Sequence, residues 1–372
     1  MAGKLAGEQP RAWWFRFRVL LYLGLGLLAL DAVVACYRSV WQAYSPDDYR
    51  DRVDNCRRHP ADLVLIGGSP VCEGVDPAVL AGVRWQGQVL ARAYNLGLPG
   101  ATTLEVWHAV RHGLSSPPRL LIYGISATDL NDDRMEPHGP ASLMTASDLV
   151  RLADYRRQAA AWCLRHFVRA RLDGMWSLFQ YRHGIQLWAA DRLESLWPGL
   201  CPEAAADARA GRDYSAAMRR PNGFAPQPAC QNRRFELLKA ADSPAPSFHF
   251  LDHFRLGGHL ATLHRLLDWA AERHVVVVLV DMPVTADLEE RLHPEEFALY
   301  RKALAEVGRQ RGVPVLSASR AAVGLTDADF ADLIHMNASG TARFSAWLRK
   351  ALEDQEYCPP TAETSLVAWH QE

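Results

Sequence analysis

Short apolar runs recur along this chain, each followed by a stretch of helical character, and that recurrence restricts its fold more than any other feature. The runs are "LVLI" (Leu63–Ile66), a weaker one over Ala91–Asn95, Leu120–Tyr123, "VVVVLVDMP" (Val275–Pro283) and "VPVLSAS" (Val313–Ser319). Their β-branched content suits strands buried on both faces. The intervening segments predict helices from about Thr102 to His112, Leu260 to Arg273, Pro294 to Gln310 and Ser339 to Glu353. In the last of these Phe344, Trp347, Leu348 and Leu352 share one face. Strands that alternate with helices make a mostly parallel sheet covered on both sides, so the expected fold is a three-layer α/β/α domain.

The amino-terminal forty residues have a different character. Lys4, Arg11, Arg16 and Arg18 precede an apolar run from Val19 to Cys36, interrupted only by Asp31. Eighteen helical residues rise about 27 Å, close to the roughly 30 Å hydrocarbon core of a bilayer. Basic residues ahead of the run favour a cytoplasmic amino terminus and an exported body, periplasmic or at the cell surface. Other readings stay open: a signal peptide removed by simple cleavage or by a lipoprotein-type cut before Cys36, and a buried helix. The resulting organisation is a cytoplasmic basic tail (1–18), a transmembrane anchor (19–38), a polar stalk (39–60), the first half of the sheet domain (61–130), a helical insertion or cap (131–252), the second half (253–356) and a tail (357–372). With 41 basic against 42 acidic side chains the formal charge is -1, which argues against a nucleic-acid partner.

The seven cysteines match no metal-binding spacing, and no cofactor or metal is expected. In an oxidising compartment Cys201 and Cys230 are the favoured pair, because both fall in a loop-rich stretch. The insertion carries Trp162, Trp176, Trp188 and Trp197 among arginines that include Arg151, Arg156, Arg165, Arg169 and Arg171. It reads either as a lid for sugar rings or anionic headgroups, or as a helical cap with tryptophans in its core.

In open α/β sheets the site forms beyond the carboxyl ends of the strands. Those ends read Gly67-Gly68-Ser69, "YNLGLPGAT" with Asn95, Gly97 and Gly100, and "YGISATDLND", while "DFADLIHMNASG" contains Asp332 and His335. A serine hydroxyl becomes a nucleophile when a base takes its proton, and His335 suits that role for Ser69. A carboxylate must hold the imidazole in one tautomer, and Asp332, three residues earlier, can reach it within its own loop. The N–H groups of Ser69 and Gly100 are candidates for an oxyanion hole. Asp281, after a hydrophobic strand, is a rival partner for the histidine. Taken singly, Ser69 reads as a turn or cap residue, Asp332 as a loop acid and His335 as a surface histidine; order and position join them. Asn337-Ala338-Ser339 has the form of a glycosylation sequon but is read as the cap of the last helix. A surface site of this kind is expected to contribute little to folding stability.

As an ordered set, Gly68-Ser69 with Gly74, Gly100, and Asp332-x-x-His335 resembles the blocks of the SGNH (GDSL-like) hydrolase superfamily. "GGSPVCEGVDP", "NLGLPGAT", "DMPVTADL" and "HMNASGTARFS" look like its membrane-anchored branch of alginate O-acetylation and teichoic-acid D-alanyl transfer proteins. The likeness covers about residues 61–130 and 270–350. It implies a serine O-acyltransferase or esterase, acetyl as the acyl group, acting on an envelope or exported polysaccharide. It also implies a multispanning membrane acyltransferase as partner. The chain departs from the family at the third block, where Gly-x-Asn-Asp is replaced by Gly124-Ile125-Ser126-Ala127. Ser126, or alternatively Asn131, would have to supply the third oxyanion donor. The altered block supports the other class of function, a non-catalytic polysaccharide-binding or assembly subunit that retains the fold.

Overall fold

The computed structural model describes residues 9–45, 48–132, 144–146, 148–149, 157–224, 254–291 and 294–354. These residues fall into two compact units, one of 48–167 with 216–372 and one of 1–47 with 168–215. The tail at 357–372, Cys230, Cys358, Arg151 and Arg156 lie outside the described residues.

The sheet unit begins earlier than the sequence suggests. After α1 (Gln9–Cys36), the supposed stalk is helical, with α2 (Arg38–Tyr44) and α3 (Asp48–Arg58). Although α3 is strongly charged, its Tyr49, Val53 and Cys56 form an apolar stripe that is buried in the core, so residues 48–58 belong to the sheet unit. Strand β1 (Leu63–Gly67) follows, then α4 (Ser69–Gly74) and α5 (Pro77–Leu80). An unanticipated hairpin comes next, β2 (Val83–Trp85) with β3 (Gln88–Leu90). Its two-residue turn places Gln86 and Gly87 at positive φ, as a primed hairpin turn requires. After it come β4 (Ala93–Asn95), α6 (Thr103–Gly113), β5 (Leu120–Ile125) and α7 (Ala127–Leu130). The insertion holds α8 (Arg157–Asp173), α9 (Ser177–Gln180), α10 (Arg182–Leu196) and α11 (Pro202–Met218). The chain returns through α12 (Gly258–Glu272), β6 (Val276–Asp281), α13 (Ala286–Arg291), α14 (Pro294–Arg311), β7 (Val315–Ser317), α15 (Arg320–Val323) and α16 (Ala338–Glu353).

The main sheet is parallel throughout, in the order β4-β1-β5-β6-β7. Counted along the chain this is the 2-1-3-4-5 order of a doubly wound sheet, and connections leave β1 and β5 in opposite directions. Such a switch point opens a crevice at the carboxyl ends of those two strands. The strands alternate as period two demands. Val64 and Ile66 enter a core layer with α3, α6, α12 and α14, whereas Leu63 and Leu65 enter a layer with α4, α5, the hairpin and α16. The anticipated face of α16 is the one that packs, with Phe344, Leu348 and Leu352 buried and Trp347 at its edge. The architecture is the α/β fold expected.

The other unit is helical. Its α1 is the one described helix long and apolar enough to cross a membrane, over Trp13–Cys36, and its side chains are largely exposed. Asp31, the single charge in the apolar run, accepts a hydrogen bond from the Leu178 N–H of α9 at 2.7 Å. Helix α2 lies on α10, where Trp41 meets Trp188 edge to face at 5.4 Å and the Tyr44 hydroxyl donates to Asp191 at 2.9 Å. Trp188 is half-buried there, but Trp176 and Trp197 are exposed, so the tryptophans of the insertion do not form one core. Cys201 and the buried Cys163 are free thiols, and the pairing expected of Cys201 falls on a residue outside the described range.

Candidate active site

Three sequence features place a serine at the mouth of the crevice. Gly67 ends β1 at φ +150°, and a Cβ there would lie 2.5 Å from both the Gly124 carbonyl oxygen and Val71 Cγ2. The paired glycines therefore let β1 run past β5 and turn at once into α4. Ser69 opens that helix with Pro70 behind it, a favoured first-turn arrangement. Asn95, at the end of β4, then holds α4 from below: its Nδ2 donates to the carbonyls of Val71 and Val75, each at 2.8 Å, and its Oδ1 accepts from Gly97 N–H at 2.8 Å.

His335 and Asp332 come from the opposite end of the sequence, in a loop pinned by short-range bonds. Ala331 N–H donates to the His335 carbonyl at 2.7 Å, and Phe330 bridges Met336. The Thr285 hydroxyl and N–H, beyond β6, both donate to the Leu333 carbonyl at 3.1 Å. Within the loop Asp332 Oδ1 accepts from Ile334 N–H at 2.9 Å and from His335 N–H at 2.8 Å. Its other oxygen, Oδ2, lies 2.6 Å from His335 Nδ1, and His335 Nε2 lies 2.7 Å from Ser69 Oγ.

Those contacts settle the tautomer by elimination. A carboxylate only accepts, so Nδ1 carries the proton it donates to Asp332; Nε2 of the neutral ring is left to accept from the serine hydroxyl. Burial pushes the Asp332 carboxyl up, but the bonds from the His335 ring and the two backbone N–H groups outweigh it and hold it below the ordinary value. It is therefore ionised at neutral pH. The sign for stability follows: a depressed carboxyl stabilises the fold above its unfolded value, near 3.8, and that increment is lost as pH falls. Urea unfolding of wild type and Asp332→Asn should thus differ clearly at pH 7, with the gap starting to close near pH 3.8 and vanishing only below the depressed folded value. A gap that stays constant with pH would contradict the anchoring role. A gap that closes on acidification would replace the expectation that the site contributes little to folding stability.

The candidate oxyanion residues occupy neighbouring strand ends. Gly68 approaches the Ala101 carbonyl, next to Gly100 in its left-handed turn at φ +67°. Ser126 follows β5 as the cap of α7, and its N–H and hydroxyl both reach Asp129 Oδ2, at 2.7 and 2.8 Å. Its donors are thus taken up by the capping box. Asn131 is fully buried, with Oδ1 accepting from Arg255 N–H at 3.0 Å. Ser126 thus spends its donors on its own capping box, and the Asn131 side-chain carbonyl oxygen fixes the chain that returns from the insertion at Arg255.

Asp281 does not compete for the histidine. It accepts from the buried Tyr300 hydroxyl at 2.8 Å and lies 3.6 Å from Arg301, while burial pushes its carboxyl up. Asp281→Asn should keep activity within about threefold of wild type; a loss like that of Asp332→Asn would reinstate it as the orienting acid. The sequon asparagine is a helix cap as read, Asn337 accepting from the N–H groups of Ser339 and Gly340.

One residue at the site was not foreseen. Glu73 Oε2 is 3.8 Å from His335 Nε2, on the same side as Ser69. The signal for it was present in "SPVCEG": a spacing of four on a helix puts Glu73 and Ser69 on one face. Among the described residues one histidine–carboxylate group, His108, His112 and Asp148, is close enough to hold a metal. Both Asp148 oxygens are already engaged, one by Arg111 at 2.5 Å and the other by the Thr145 N–H and hydroxyl, which together hold its carboxyl down at about 2.

No protein-family model matches the sequence, and no curated protein matches it. Among solved structures it is similar to a "putative acylhydrolase" from Bacteroides fragilis, with 11% identity and a TM-score of 0.35. That match covers 81% of this chain and 93% of the other.

Proposed function

We propose that this chain is a serine-dependent acyl-transfer enzyme in which Ser69 is the nucleophile, His335 the general base and Asp332 the orienting acid. The observation that carries the reading is the unbroken line from Ser69 Oγ through the imidazole to Asp332, with contacts of 2.7 and 2.6 Å. In the first step Ser69 Oγ attacks an acyl carbonyl while Nε2 takes its proton, and collapse returns that proton to the leaving oxygen. In the second an acceptor hydroxyl is deprotonated by the same nitrogen, attacks the acyl-serine ester and regenerates Ser69. Ser69 and Gly100 N–H serve the oxyanion in both steps, as the family resemblance assigns. Glu73 faces the nitrogen that becomes charged and stabilises the imidazolium.

The finer reading follows the SGNH resemblance. An acyl group, acetyl in this branch, passes to a hydroxyl of an envelope or exported polysaccharide or to water, outside the cytoplasm, on a body anchored by α1. A multispanning acyltransferase would deliver the acyl group. The second reading, a non-catalytic subunit, has one observation in its favour: the donors of Ser126 are spent on Asp129. A fluorophosphonate probe separates the two. Labelling of the full chain that is lost in Ser69→Ala supports catalysis, whereas an unlabelled, folded wild type supports the subunit.

A further inference from the structure

We infer that the turn between α8 and α9, Leu172 to Phe179, is seated in the outer headgroup–acyl boundary of the bilayer that α1 spans. The inference rests on reading α1 as a membrane span. Soluble surfaces scatter large apolar side chains singly, yet Leu172, Met175, Trp176 and Phe179 are exposed together, Met175 at 73%. With Leu178 and Arg182, three of them line an apolar hollow of about 380 Å³, a size that takes part of an acyl chain. Nothing in a sugar-binding lid explains Met175 and Leu172.

The position along α1 identifies the occupant. Helix α9 meets α1 at Asp31, the residue whose carboxylate accepts from Leu178 N–H. Trp13 and Trp14, exposed near the other end of α1, precede Asp31 by 18 and 17 residues, a helical rise of about 26 Å. That separation is close to the roughly 30 Å of a hydrocarbon core, so an aromatic group stands near each edge, as in interfacial belts. Arg16 and Arg18 lie within a turn or so of Trp14 and are able to snorkel back to the inner headgroups. Asp31 itself is accounted for: a carboxylate near the edge of the core is costly unless satisfied, and α9 satisfies it. Charge agrees as well. Arg182 stacks 4.1 Å over the Phe179 ring, and Arg169 and Arg171 are exposed on the adjoining helix, where anionic headgroups would meet them. The occupant is therefore the lipid surface, with aromatic and aliphatic side chains in the acyl boundary and guanidinium groups among the phosphates.

The test uses the full chain reconstituted in vesicles of phosphatidylcholine and phosphatidylglycerol. The photoreactive residue p-benzoylphenylalanine replaces Phe179 in one sample and the lipid-facing Leu27 of α1 in another. Lipid adducts at position 179 in at least about a tenth of the yield at position 27 are expected. Trp176→Phe should also reduce the quenching of tryptophan emission by brominated lipid. Lipid adducts at 27 without any at 179, or adducts at 179 to a second copy of the chain, overturn the inference and leave the anchor intact. Absence of lipid adducts at both positions overturns the anchor reading and this inference with it.

Discussion

Ser69→Ala should lower acyl turnover by roughly 10⁴- to 10⁶-fold, measured as acyl release or transfer by the full chain. The alanine variant keeps the glycine turn and α4, so its loss reports the hydroxyl alone. His335→Ala should cost nearly as much, and the double variant little more, because the pair acts as one unit. Asp332→Asn should lose about 10⁴-fold: the amide can present its N–H to Nδ1, which then accepts and forces the proton onto Nε2, leaving no acceptor for the Ser69 proton. The bond lengths that motivate this, 2.7 Å and 2.6 Å, already meet what a proton relay needs before substrate arrives. If Ser69→Ala retained more than about a tenth of wild-type turnover, Ser69 would be a helix-opening residue and the acyl-transfer proposal would fall.

Asn95→Ala should destabilise the sheet unit by about 3 kcal/mol, the order expected when buried backbone groups lose charge-neutral partners. The side chain is fully buried and joins two chain segments: it holds two carbonyls in and just after α4 and one N–H of the loop after β4. Asn95→Asp should be at least as harmful, because a carboxylate accepts only and would face the Val71 and Val75 carbonyls without a donor. Gly97→Ala should behave similarly, since its Cβ would overlap the backbone of Cys72 in α4. Denaturant midpoints measure the stability loss. Activity per folded molecule should fall too, because α4 carries Ser69. Near-wild-type stability in both Asn95 variants would show that α4 is held by packing alone.

Much of the candidate site's geometry was legible because it lies in short segments. Asp332 and His335 are three residues apart in one loop, and Ser69 follows a glycine pair at a strand end, so residue type and spacing carried the information. Glu73 was missed although its four-residue spacing from Ser69 was visible, because α4 is only one and a half turns long and shows no periodicity to read. The bonding of Ser126 to Asp129 was hidden for a different reason. A Ser-x-x-Asp capping box is local, but whether a serine spends its hydroxyl on the cap or on substrate depends on the direction the loop leaves the sheet. The stalk reading failed where composition outvoted pattern: α3 is charged on most positions, yet Tyr49, Val53 and Cys56 make a stripe sufficient to bury.

By itself, the sequence determined the layers, the parallel sheet and the apolar amino-terminal helix, because these follow from the period and length of apolar runs, which each segment carries within itself. Only the tertiary structure decided that residues 69 and 335 meet, 266 positions apart, and that Asp281 pairs with Tyr300 instead. It also decided that the one carboxylate in the apolar run finds its donor in a helix about 147 residues later. The physical reason is the same in each case. Periodicity is a property of neighbouring residues, whereas a hydrogen bond of 2.7 Å depends on where strand order, glycine turns and packed faces bring distant backbone together.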